Sequence, residues 1–149
     1  MRSIKYIVVH CTATKKNKNI TAKDIDGWHK KRGWSGIGYH YVIDIYGNLE
    51  IGRPEWKMGA HVRGFNRHSL GVVYAGGLNE FLAPEDTRTP PQKKALLALL
   101  KKLKKRYPSA QILGHRDFSK DINGNGIIEP FEFMKMCPCY NAKEEYKNI

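Results

Sequence analysis

Ile4-Lys5-Tyr6-Ile7-Val8-Val9-His10 alternates loosely and is rich in β-branched residues, the pattern of a strand. The segments that follow alternate between strand and helix. Thr21 with Asp24 three residues later forms a capping box. Ile25, Trp28 and His29 then fall at i, i+3 and i+4 on one helical face, and Gly33 is a natural stop. Tyr39 to Ile45 and Leu49 to Arg53 read as two strands joined by the turn Tyr46-Gly47-Asn48. Ser69 to Ala75 is a short buried strand ending in Gly76-Gly77. Pro90 and Pro91 open a second helix. Its apolar stripe is Leu96, Leu99, Leu100 and Leu103, with Lys101, Lys102, Lys104 and Lys105 on the wet side and Pro108 as its end. Gln111 to Leu113 is the last strand. This alternation predicts a single α/β domain over residues 1–149, a mixed central sheet flanked by helices.

Composition agrees. The chain has 149 residues, 41% hydrophobic and 27% charged, which excludes wholesale disorder. A domain of this size buries roughly two-thirds of its unfolded surface and needs no disulfide scaffold. Its apolar runs are too short to span a bilayer, so membrane insertion is not expected. The first residues, Met1-Arg2-Ser3-Ile4-Lys5-Tyr6, lack the pattern of a secretory signal, and synthesis in the cytoplasm without one is the expectation. Lys and Arg number 26 against 14 Asp and Glu, a net charge of +12 that favours polyanions without choosing among them. The basic runs Lys15 to Lys18, Lys30 to Arg32 and Lys101 to Arg106 are dispersed and read as solvated faces. No interleaved aromatic and basic platform supports a nucleic-acid role. Three cysteines, Cys11, Cys137 and Cys139, make a poor disulfide framework and raise the question of a metal.

His10 ends the first strand, His115 follows the last, and Cys137 stands in Lys135-Met136-Cys137-Pro138. Sheets of this kind place ligands at strand ends. Two imidazoles and a thiolate suit zinc, and three protein ligands are the pattern of a catalytic rather than a structural site. Spacing alone leaves open that both histidines are ordinary polar residues.

The wording around them is more specific. His10-Cys11-Thr12-Ala13-Thr14, Trp28-His29, Arg32-Gly33-Trp34 and Gly38-Tyr39-His40-Tyr41 occur in order. Gly59-Ala60-His61, Gly64-Phe65-Asn66, Ser69-Leu70-Gly71-Val72, Gly114-His115-Arg116-Asp117 and Lys135-Met136-Cys137-Pro138 continue the series. Over residues 4–140 it resembles the zinc-dependent N-acetylmuramoyl-L-alanine amidases, the group that includes phage amidase-type lysozymes and peptidoglycan recognition proteins. The resemblance implies zinc on His10, His115 and Cys137, with Tyr39 and Lys135 as catalytic partners. It implies hydrolysis of the amide between the lactyl group of N-acetylmuramic acid and L-alanine. His61 and Asn66 match positions near the substrate groove, and Trp34 is a candidate for its wall. Thr12 is a candidate orienter of His10. Cys11 should point to the opposite strand face from His10 and pack in the core. Peptidoglycan or a muropeptide is then the partner, the chain acts as a monomer, and the missing signal suits a phage or prophage endolysin that acts after release. The rival readings are a non-catalytic peptidoglycan-binding module, which the third ligand Cys137 argues against, and a cytoplasmic muropeptide-recycling amidase.

The stretch before Cys137 is longer than the resemblance leads one to expect, an insertion at about 117–134. Within it, Asp121, Asn123, Asn125, Gly126, Ile127, Glu129 and Glu132 fill positions 1, 3, 5, 6, 7, 9 and 12 of an EF-hand loop. Calcium on Asp121, Asn123, Asn125, Glu132 and the carbonyl of Ile127 is expected. No incoming helix precedes the loop. An exiting helix, Pro130 to Met136, is expected to carry Lys135 and Cys137 to the zinc.

Overall fold

The computed structural model describes residues 2–149. A five-stranded sheet forms the centre, built from β1 (Tyr6–Cys11), β3 (Tyr41–Ile43), β4 (Leu49–Ile51), β5 (Ser69–Tyr74) and β7 (Gln111–Gly114). Its order is β4-β3-β5-β1-β7, parallel except for the antiparallel β3–β4 pair. The expected mixed sheet is therefore present. The strand pairing reaches beyond β3 and β4: the His40 amide donates to the Gly71 carbonyl and the Arg53 amide to that of Tyr39. Between the two strands, Asp44 Oδ1 accepts the Tyr46 and Asn48 amides, and Gly47 takes a left-handed φ of 82°.

Alternation along β1 divides the molecule. Ile7, Val9 and Cys11 face one layer and Val8 and His10 the other. The first layer holds α2 (Pro90–Arg106), whose Leu96, Leu99, Leu100 and Leu103 pack on Ile7, Val9, Leu70, Val72 and Tyr74. The second holds α1 (Ala22–Lys31), whose Ile25 packs with Ile20, Ile37, Val42 and Val73. Both helices begin as expected: Thr21 and Asp24 form a reciprocal capping box, as do Thr89 and Gln92, with Pro90 and Pro91 in the first turn.

Two elements were not legible in the sequence. A two-residue strand, β2 (Thr14–Lys15), pairs with β6 (Gly77–Leu78) beyond the main sheet. A short α3 (Ala142–Glu145) closes the α2 layer, anchored where buried Arg88 pairs with Glu145 and Asp86 and lies over the Tyr140 ring.

The expected helix from Pro130 to Met136 is absent. Only a 3₁₀ turn, Pro130–Glu132, forms, and Phe133 is already extended. The backbone groups a helix would need are engaged elsewhere: Ser119 Oγ accepts the Met134 amide, and the Cys137 carbonyl accepts the Arg116 amide. Lys135 and Cys137 thus arrive on an extended return segment tied to residues 115–119.

Candidate metal centre

The register of the sheet builds the site. β1 and β7 run parallel with Val9 opposite Gly114, so the next residues, His10 and His115, leave neighbouring strands side by side. Their ring centroids are 4.8 Å apart. Gly114 is required by close approach, because a Cβ there would stand 2.6 Å from Pro138 Cδ. That approach lets the Cys137 segment cross the strand ends. Tyr74, buried in the α2 layer, donates its hydroxyl to the Pro138 carbonyl at 2.6 Å.

The ligating atoms of His10, His115 and Cys137 all lie within 4.8 Å of one another, and this group can hold a metal ion. Cys137 Sγ sits 3.7 Å from His10 Nδ1 and receives the Cys11 amide N–H at 3.2 Å. Burial holds His10 well below the usual imidazole pKa, helped by the charges of His61, His115 and Lys135. Burial and the Lys135 ammonium lower His115 to about 4. Both rings are therefore neutral near pH 7, the form that ligates a metal. Cys11 points the other way, into the core, 3.8 Å from Cys139 Sγ. Contact with Cys137 and burial push its thiol up to about 12. All three cysteines are free thiols.

Tyr39 packs its ring 5.0 Å from that of His10, and burial raises its phenol above the ordinary range, so it stays protonated. Lys135 is exposed, close enough for its charge to act on both histidines.

Other expected site residues take different places. His61 is half-buried, and both its ring nitrogens are engaged. It sits behind His10, with Nδ1 2.9 Å from His10 Nε2 and Nε2 3.2 Å from Ser69 Oγ. Asn66 turns its Oδ1 to the backbone amides of His61 and Val62, at 2.8 and 2.9 Å, because the tight loop leaves those donors without carbonyl partners. Thr12 does not orient His10. Its hydroxyl bonds Thr14 Oγ1 and accepts the Gly76 amide, fastening the exits of β1 and β5. Trp34 is half exposed, with its ring on His29 at 4.6 Å and the Arg32 guanidinium 5.7 Å above it.

His40 is a buried residue the sequence reading did not single out for a role. Its Nδ1 accepts the Gly71 amide at 3.0 Å and its Nε2 donates to the Lys57 carbonyl at 2.8 Å. Burial lowers its pKa to about 4. Its place in Gly38-Tyr39-His40-Tyr41 was the only signal.

In the 121–132 loop the side chains cap the loop's own backbone. Asp121 accepts the Gly124 and Gly126 amides, and buried Glu132 accepts those of Ile122, Asn123 and Glu129. Among the described residues, the only group of three or more His, Cys, Asp or Glu donors that converges is the one at the strand ends.

Comparison with known proteins identifies the family and the fold. Residues 1–130 match the family model described as N-acetylmuramoyl-L-alanine amidase. The match ends ahead of Lys135 and Cys137, whose placement rests on the structure. The chain is similar to an endolysin of Klebsiella phage KP32, 37% identical over 137 residues, covering 92% of this chain and 82% of the relative. Among solved structures it is similar to the N-acetylmuramoyl-L-alanine amidase LysC from Clostridium intestinale URNW. There the TM-score is 0.73 at 33% identity, over 97% of this chain and 82% of that one. Bumblebee PGRP-SA shares the fold, with a TM-score of 0.72 at 24% identity, over 99% of this chain and 83% of that one. The chain belongs to the N-acetylmuramoyl-L-alanine amidase family.

Proposed function

We propose that the chain is a zinc-dependent endolysin-type amidase that cuts peptidoglycan between the lactyl group of N-acetylmuramic acid and L-alanine. The observation that carries this reading is the convergence of His10, His115 and Cys137 within 4.8 Å at the ends of parallel strands. The donor set fits zinc: two imidazoles kept neutral by burial and a sulfur that already receives a peptide N–H. When bound there, zinc supplies a Lewis acid for the lactyl carbonyl and makes water nucleophilic near neutral pH.

The chain's own residues do the rest. Negative charge grows on the carbonyl oxygen as the amide is attacked, and the Lys135 ammonium stabilises it. Tyr39, protonated at rest, donates a hydrogen bond at the same oxygen or to the attacking water. The nitrogen of L-alanine must leave with a proton, which the attacking water provides through one of these groups. Cys137 as a third donor favours catalysis over a module that only binds muropeptides. One chain contributes every group, so the proposed active form is the monomer. No helix of the described residues is long and apolar enough to cross a membrane. With the phage endolysins to which the chain is similar, this supports action on peptidoglycan after release.

Calcium in the 121–132 loop is a second, separate part of the proposal. It rests on the complete ligand pattern in the sequence and gives the loop a structural role.

The test is mass spectrometry of purified peptidoglycan digested by the protein as isolated, after chelation and after zinc is restored. Stem peptides with a free L-alanine amine, lost on chelation and recovered with zinc, are the expected products. Intact peptidoglycan from folded, zinc-loaded protein would overturn the reading.

A further inference from the structure

We propose that His61 is a positioning residue for the metal ligand His10, setting through a directed chain of hydrogen bonds which nitrogen His10 turns to the metal. This rests on the zinc reading of the strand-end cluster. The nitrogen of His10 nearest Cys137 Sγ is Nδ1, at 3.7 Å. To serve as a ligand Nδ1 must present a lone pair, so the proton of the neutral ring sits on Nε2. Nε2 lies 2.9 Å from His61 Nδ1, and His10 therefore donates and His61 accepts. The proton of His61 is then on its own Nε2, donated to Ser69 Oγ at 3.2 Å. Fixing the first tautomer fixes the second. Reversing either would set two N–H groups, or two lone pairs, against each other in a buried place.

The pocket around His61 is built for an imidazole. A Cβ on Gly71 would fall 2.7 Å from the His61 ring, and one on Gly59 would fall 2.7 Å from its Cδ2. Neither glycine has a left-handed φ, so space and not backbone freedom requires glycine at both. Asn66 Oδ1 holds the His61 amide, while Arg2 binds the carbonyls of Asn66 and Ser69. The ring is thus anchored at its backbone, at its far nitrogen and on two faces. A partner that only filled volume would need neither the Ser69 bond nor the directed pair. Ligand histidines bind metal more tightly when the outer nitrogen donates to a fixed acceptor.

Three variants of the full chain test the role: H61N, H61L and S69A. Asn places Oδ1 where Nδ1 stood and keeps an acceptor for His10. Leu fills the pocket without one. Zinc dissociation constants come from chelator competition, ligand geometry from the visible spectrum of cobalt-substituted protein, and folding from the metal-free melting temperature. H61L should bind zinc about 10–100-fold more weakly and shift the cobalt bands. H61N should recover most of the affinity, and S69A should lose less than H61L. A folded H61L with wild-type zinc affinity and spectrum, or an H61N as weak as H61L, would overturn the role. If H61L fails to fold, S69A decides: weaker zinc binding at an unchanged melting temperature supports the chain of bonds, and unchanged binding refutes it. Wild-type protein that binds no zinc would refute the metal reading itself, an outcome distinct from equal binding by all variants.

Discussion

In the 121–132 loop the carboxylates of Asp121 and Glu132 point at backbone amides of the same loop, five N–H groups between them. At the strand ends, His10, His115 and Cys137 come from three distant parts of the chain and turn their donor atoms toward one another. The loop carries its whole pattern in twelve consecutive positions and needs no tertiary structure to be read. The cluster has almost no pattern of its own and exists only because β1 and β7 are in register and the Cys137 segment crosses their ends. A contiguous motif therefore advertises a ligand set that its own turn can satisfy internally. A dispersed one is assembled by the core and keeps its donors facing each other.

The sharpest way to break this contrast is to remove donors from each side. C137S or H10A should lower bound zinc to near zero and activity to that of the chelated protein, because two remaining ligands do not hold the ion. E132A should leave zinc content and amidase activity in place. The return segment is tied at its base by Ser119 to Met134 and by Arg116 to Cys137, outside the loop. Zinc lost from E132A would show that the two regions are coupled after all. The next effect is catalytic. K135A should keep its zinc and lose about 10²–10³-fold in kcat, the cost of removing one stabilising donor from a developing oxyanion. Y39F should fall by less, with zinc retained. Unchanged kcat in K135A would remove the lysine from the reaction.

Much of the fold could be read from the chain because its signals are local. Thr21 with Asp24 and Thr89 with Gln92 cap the helices where the sequence places them. The Leu96, Leu99, Leu100, Leu103 stripe is buried as its spacing requires. The two-residue strands β2 and β6 carry no periodicity and pair where bonds between Thr12, Thr14 and Gly76 hold their chains together. The helix expected at Pro130 to Met136 failed because side-chain and backbone partners from residues 115–119 outcompeted local helical bonds. The motif series singled out the three donors that converge, while the roles of their neighbours depended on direction. Asn66 and His61 have the chemistry of substrate contacts, but their hydrogen bonds face the backbone and His10. No sequence pattern encodes which way a ring nitrogen points.

Acid should separate the regions again. His40 is neutral in the folded protein, with a pKa of about 4. A free imidazole titrates near 6.5. Above that value both states are neutral and nothing is lost. Between about 6.5 and 4 the unfolded chain takes up a proton that the fold refuses, so stability falls as pH falls. Protonated Nδ1 would also face the Gly71 N–H it now accepts. Metal-free protein should therefore melt at progressively lower temperature from pH 7 to 4.5, and H40N, which keeps an acceptor near Nδ1, should decline less steeply. An equal slope in H40N would clear His40 of this role.

The smallest expected effect lies in the loop. Glu132 is buried and accepts three amides, Ile122, Asn123 and Glu129, so E132A leaves three part-buried donors without their protein partner. Each such donor costs about 1–3 kcal/mol, and partial rescue by water should keep the total near the low end, a few degrees in Tm. Calcium sharpens the comparison because its binding adds stability only to the folded loop, as RT ln(1 + [Ca²⁺]/Kd). Wild-type Tm should rise with millimolar calcium and fall back with a calcium-selective chelator, while amidase activity in zinc stays constant. E132A should lose that response, since the residue at position 12 supplies the bidentate carboxylate of the loop. A wild-type Tm indifferent to calcium would leave Glu132 as a cap for backbone amides, and the loop as a turn whose ligand pattern serves only itself.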